Sequence, residues 1–138
     1  MWLFTRYSFY SIACAQKPDG KIDPSKLMIR ARSATHLDNL KARFPVLAGQ
    51  EIRATPDHDY RWRLIVTKAT WSKIVAELVE EQEWSNFKNE AHRYQMDAGS
   101  DYVRALHDVW SVMNALQEIE RRVGRKKSAA DRQTHSDE

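Results

Sequence analysis

The stretch Tyr60-Arg61-Trp62-Arg63-Leu64-Ile65-Val66-Thr67 decides the fold class. Tyr60, Trp62, Leu64 and Val66 fall on one side of it, and Arg61, Arg63, Ile65 and Thr67 on the other. A period of two marks a strand with one apolar and one more polar face. Directly afterwards the period changes. Thr67 or Thr70 can cap a helix whose apolar stripe is Trp71, Ile74, Val75, Leu78 and Val79, with Glu77, Glu80 and Glu81 toward solvent. A strand that runs straight into an amphipathic helix calls for a sheet covered by helices on its apolar face.

Toward the N-terminus, Leu27, Ile29 and Ala31 alternate with Met28, Arg30 and Arg32, which predicts another strand. Lys17-Pro18-Asp19-Gly20 is a turn signal, because proline presets its φ and glycine accepts a positive one. Ahead of it, Trp2 to Ala15 is rich in aromatic and β-branched residues and reads as one strand, a hairpin partner of the second. Ser33 or Thr35 opens a helix carrying Leu37, Leu40 and Phe44, which Pro45 closes. Val46 to Asp59 is a connector broken by Gly49 and Pro56, with room for a short strand at Glu51–Arg53.

Toward the C-terminus, Ser85 can cap a short helix with Phe87, Ala91 and Tyr94 in register, and Gly99 breaks it. Ser100 or Asp101 begins the longest helix, with Tyr102, Val103, Leu106, Val109, Trp110, Met113 and Leu116 expected to point inward. The order strand, strand, helix, strand, helices predicts a single α+β domain over residues 1–123. Its sheet is small and mainly antiparallel, with helices packed on one face. Residues 124–138 are polar, charged and aperiodic and are expected to form a disordered basic tail.

Composition narrows the functional classes. A chain of 138 residues suits one domain, and 42% apolar residues suffice for one core. A single cysteine excludes an internal disulfide framework. No run approaches the ~20 apolar residues that span a bilayer, so no membrane partner is expected. Met1 to Gln16 carries Arg6 among its apolar residues and lacks a basic lead-in. It therefore reads as a strand rather than a leader, despite Ala13-Cys14-Ala15, and a cytoplasmic address is expected.

The net charge of +3 is unevenly spread. Residues 1–67 hold eleven Lys/Arg against six Asp/Glu, residues 68–120 five against ten, and residues 121–138 six against three. The body is neutral but polarised, and opposite halves of two copies could complement each other in a salt-sensitive homodimer.

Several motifs occur together and in order: Met1-Trp-Leu-Phe-Thr5 with Phe9-Tyr-Ser11, Leu27-Met-Ile-Arg-Ala-Arg32, Leu37-Asp-Asn-Leu40, Asp59-Tyr-Arg-Trp-Arg63, Trp84-Ser-Asn-Phe-Lys88 and His107-Asp-Val-Trp110. Over about residues 1–117 the chain thereby resembles a widespread family of small uncharacterised bacterial proteins. It departs from that pattern at Ser8, where many relatives have glycine. The family carries no assigned activity, so the resemblance implies no catalytic residue.

The most distinctive candidate surface is basic. Arg30 and Arg32 are two apart in one strand, and Arg61 and Arg63 are two apart in another, so each pair shares a sheet face. Arg6, with Trp2 and Tyr10, is placed to join them. Such a face either binds an acidic protein surface or single-stranded nucleic acid, or is a solvated surface whose arginines pair with Asp57, Asp59 or the helical glutamates. No RNA-recognition aromatic motif accompanies it. Arg121-Arg122 and Arg125-Lys126-Lys127 form a second basic cluster, which reads as a solubilising terminus or a non-specific anion contact.

Catalytic signals are weak. His36, His58, His92, His107 and His135 are scattered without metal-ligand spacing, and Asp57-His58-Asp59 reads as a turn. Cys14, Ser8 and Ser11 are the only nucleophiles singled out, and they lack an elbow motif or an adjacent base. No phosphate-binding glycine loop is present, and no cofactor or metal is expected. The sequence thus predicts a non-catalytic binding or modulator protein, of the size a phage- or host-encoded modulator would have. It would act through Arg6, Arg30, Arg32, Arg61 and Arg63 on an acidic protein partner. Single-stranded nucleic acid is the alternative partner, and a small hydrolase or transferase without a recognisable motif is the alternative class.

Overall fold

Among the described residues, five antiparallel strands form one sheet: β1 Trp2–Phe4, β2 Phe9–Gln16, β3 Ile22–Ala31, β4 Arg53–Ala54 and β5 Trp62–Thr67. Their order across the sheet is β1-β2-β3-β5-β4. The helices are α1 Ala34–Arg43, α2 Lys68–Glu80, α3 Phe87–Tyr94 and α4 Asp101–Thr134, with a 3₁₀ turn at Pro45–Leu47. The computed structural model describes residues 1–95 and 101–134, with side chains described as far as residue 123. The α+β class expected from the order of elements is the one observed.

The N-terminal stretch is a hairpin rather than one strand. Thr5 turns the chain: its Oγ1 accepts from the backbone N–H of Tyr7 and Ser8 at 3.2 and 3.1 Å and donates to the Ser8 carbonyl at 3.0 Å. A hydroxyl that satisfies nearby backbone groups competes with strand continuation. This reversal sets the register Trp2 to Ser11, Leu3 to Tyr10 and Phe4 to Phe9. Tyr10 consequently faces the core, fully buried, and not the side on which Trp2 stands.

The second hairpin closes as expected at Lys17-Pro18-Asp19-Gly20. Gly20 adopts φ 80°, and its N–H donates to the Lys17 carbonyl at 2.9 Å. β3 begins earlier than the alternation predicts, at Ile22. Cys14 lies opposite Leu27 while Ala15 lies opposite Asp23, so Pro24, Ser25 and Lys26 bulge on the β2 side. A bulge is where a strand tolerates proline, which has no N–H to give the ladder.

One face of the sheet carries the core. Tyr10 and Ile12 from β2, Ile29 and Ala31 from β3, and Leu64 and Val66 from β5 pack with Leu37, Leu40, Phe44, Leu47, Trp71, Ile74 and Leu78. Thr67 caps α2 by accepting from the Thr70 N–H at 3.0 Å. Val79, expected on the apolar stripe of α2, is exposed. Asn86, not Ser85, caps α3, its Oδ1 accepting from the Asn89 N–H at 3.1 Å.

The chain divides into two compact units, Met1–Ala98 and Gly99–Glu138, where the sequence placed a boundary at residue 123. The described part of the second unit is α4, whose backbone stays helical to Thr134, through much of the segment expected to be disordered. Ala129, Ala130 and the long basic side chains are good helix formers, so helix continues where the apolar period stops. Residues 135–138 of the expected tail lie outside the described residues. Of the α4 side chains expected inward, Val109, Trp110, Met113 and Leu116 are exposed. Periodicity identifies residues that share a face, but not what covers it.

Candidate anion-binding face

Directly opposed residues in an antiparallel ladder project to the same side of the sheet. Trp2 is opposite Ser11, Ser11 opposite Arg30, Arg30 opposite Arg63 and Arg63 opposite Arg53. One line of side chains therefore crosses all five strands. It lies on the face away from the core, since Ile29, Ala31 and Leu64, the sequence neighbours of its arginines, point into the core. Arg32 directly follows the last residue of β3, and its guanidinium lies with that of Arg30 against the Tyr60 ring. Arg30, Arg32 and Arg63, three of the five arginines singled out from sequence, are thus brought together, while Arg61 is exposed just before β5.

The loop between β4 and β5 folds over the line. The Thr55 N–H donates to the Arg61 carbonyl at 2.7 Å, and its hydroxyl is within 3.1 Å of the same oxygen. This closure places Tyr60 among the arginines. Its ring centre lies 5.0 Å from the Arg30 guanidinium and 4.7 Å from that of Arg32, and 6.3 Å from the Phe9 ring. Alternation had put Tyr60 on the core side with Trp62. Tyr60 precedes β5, so the strand period does not govern it. Beneath the loop is a groove of about 460 Å³, lined by Cys14, Met28, Arg30, His58, Tyr60 and Arg63 among others.

The arginines differ in how their charge is met. Arg32 forms an exposed two-pronged pair with Asp59 at 2.9 and 3.4 Å, and Arg53 pairs with Glu51 at 3.2 Å. Arg30 donates to the Ser11 hydroxyl at 2.8 Å, and Arg63 to the Tyr60 carbonyl at 3.2 Å. Among the described residues neither Arg30, Arg63 nor Arg61 has a carboxylate within ion-pairing distance. The Arg63 Nε is buried with no hydrogen-bond acceptor. Burial, and then the facing Arg30 charge, lower the pKa of Arg63. A neighbouring anion would relieve both effects.

Arg6, also expected on this face, is placed elsewhere. It sits in the β1–β2 turn and bonds Glu90 at 2.8 Å and Glu81 at 3.2 Å. Its guanidinium lies 5.3 Å from the ring centres of Tyr7 and Trp84 and 5.5 Å from that of Tyr94. Burial opposes the Arg6 charge, but the hydrogen bonds to Glu90 and Tyr7, with the nearby Glu81, outweigh it and raise its pKa. The hydrogen bonds from Arg6 and then Arg93 hold the Glu90 carboxyl below its usual range, against burial. Gln95 adds bonds from its amide to the carbonyls of Arg6 and Tyr7 at 3.0 and 2.9 Å. This cluster ties the turn to α2 and α3 and has its own carboxylates, so it serves as a structural clamp. Glu81, Glu90 and Gln95 carry no sequence signal that marks them as Arg6 partners, because the pairs span more than seventy residues.

The candidate nucleophiles are placed as follows. Ser8 and Ser11 are buried. Cys14 and His58 line the same groove, and no hydrogen bond between them is among those of the described residues. Among the described residues no group of three or more His, Cys, Asp or Glu could hold a metal ion, and no helix is long and apolar enough to cross a membrane. Arg53, Ser11 and Tyr60 belong to the arginine face but escape a sequence reading, since only strand pairing and loop closure bring them there. No family model, curated protein or solved structure matches the chain.

Proposed function

We propose that the protein is a non-catalytic binding protein that takes an acidic segment of a partner protein on its arginine face. The observation that carries this reading is Arg30 opposite Arg63 with no carboxylate at ion-pairing distance from either among the described residues. Two half-buried guanidiniums held side by side repel each other and lose hydration, which a fold retains at a cost unless an anion is brought to them. Arg30 and Arg63 are the central contacts, and Arg32 stands at the rim, exchanging Asp59 for a partner carboxylate.

A short carboxylate-bearing segment fits better than a nucleic-acid strand. Tyr60, the ring among the arginines, is 7% exposed and stacked on its own neighbours, so it is not offered to a base. The single-stranded nucleic-acid reading keeps one specific support. Trp2 is 69% exposed at the end of the arginine line and could stack with a base.

Fluorescence anisotropy with a labelled octaglutamate peptide and a labelled oligothymidylate, at low salt, tests the proposal. The peptide should bind wild type more tightly than the oligonucleotide does. Arg30→Glu with Arg63→Glu should abolish peptide binding. Absence of peptide binding, or binding unchanged in the double variant, contradicts it. Tighter oligonucleotide binding that depends on Trp2 would establish the second reading.

A further inference from the structure

Within α4, Val109, Val112, Leu116, Ile119 and Val123 repeat at alternating spacings of three and four residues, two positions per heptad without interruption. All are exposed, from 39% at Val109 to 70% at Val112, and Met113, at 57%, flanks them. This is the seam of a two-stranded coiled coil, laid along about four turns of helix. A long helix in water gains most of its stability from packing an apolar face, and within its own unit α4 has no second described element to cover this seam.

The charge of the helix selects the occupant. Residues 101–120 carry four acidic side chains and one basic, and residues 121–134 carry six basic and one acidic. A parallel copy would set basic end on basic end. An antiparallel copy sets the basic end of each helix beside the acidic end of the other while matching seam to seam. We infer that α4 pairs with α4 of a second copy of this chain, antiparallel, through the seam from Val109 to Val123. The inference is independent of what the arginine face binds.

Sedimentation of the full-length chain over a range of concentrations, at about 50 mM and about 500 mM salt, tests it. Wild type should be a dimer that weakens as salt rises. Leu116→Asp with Ile119→Asp should raise the dimer dissociation constant at least about 100-fold. Near-UV circular dichroism checks that the sheet unit is intact. Arg121→Glu with Arg122→Glu, both at exposed sites, should weaken the dimer about tenfold and flatten its salt dependence. A wild type that stays monomeric at every concentration overturns the inference. So does a dimer indifferent to the two aspartates. A dimer strengthened by the two glutamates overturns the antiparallel arrangement, since that change relieves repulsion only between parallel copies.

Discussion

Arg30 on β3 faces Arg63 on β5 across a single rung of the ladder, and Arg53 on β4 continues the same rung. Like charges directly opposite in a sheet are destabilising. Here the repulsion is sharpened by burial of the Arg63 Nε. By contrast, Arg6 is equally enclosed but meets two carboxylates. The difference separates a clamp with its own carboxylates from a pair of facing arginines that has none among the described residues.

The first prediction follows from that contrast. Arg63→Gln should change folding stability by less than about 1 kcal/mol, because relief of repulsion offsets the lost bond to the Tyr60 carbonyl. The same substitution should weaken octaglutamate binding at least about tenfold. Thermal unfolding and anisotropy on one preparation check both halves. A large loss of stability would show that Arg63 is a structural residue.

Tyr60 organises the arginines. Tyr60→Leu keeps apolar bulk but removes two cation–π contacts, worth about 1–2 kcal/mol together. The expected result is a lower melting temperature, with faster amide exchange confined to the loop from Thr55 to Arg61. Exchange unchanged in that loop would mean that the ring does not hold it.

Arg6→Ala should destabilise the protein by about 2 kcal/mol, since it leaves the enclosed Glu90 and Glu81 with fewer partners. The peptide affinity should not change, because Arg6 lies off the arginine face. Denaturant unfolding measures the first effect and anisotropy the second. Loss of affinity in a folded Arg6→Ala protein would return Arg6 to the binding surface.

The clamp also makes stability depend on pH. Folding lowers the pKa of Glu90 from a starting value near 4.5. An acid with a depressed pKa stabilises the fold fully above its unfolded value and loses that contribution as pH falls through the folded one. Wild type should therefore lose stability below about pH 4.5, and Glu90→Gln should lose less over the same interval. Parallel acid dependences in the two proteins would remove Glu90 from the account.

Arg30 and Arg63 were legible on the outer side of the sheet because the paired parts of β3 and β5 alternate, whereas Arg32 and Arg61 lie just outside those strands, where alternation does not fix a side chain. Arg6 was misplaced for a local reason. The Thr5 hydroxyl turns the chain, while the aromatic residues on both sides of it read as continuous strand. Arg53 and Tyr60 were out of reach because their positions depend on which strand β4 joins and on how the following loop closes. Of the α4 seam only Val109 and Leu116 belong to the inward face expected from sequence, and both are exposed, since the same period serves a buried core and a partner surface.

Nuclear magnetic resonance titration of the labelled full-length protein with octaglutamate at low salt addresses the arginine face most directly. The account predicts shifts at the guanidinium Nε of Arg30 and Arg63 and at the backbone of Tyr60, saturating together and reversed by added salt. Shifts confined to the basic residues from Arg121 onward, with Arg30 and Arg63 unmoved, would contradict it.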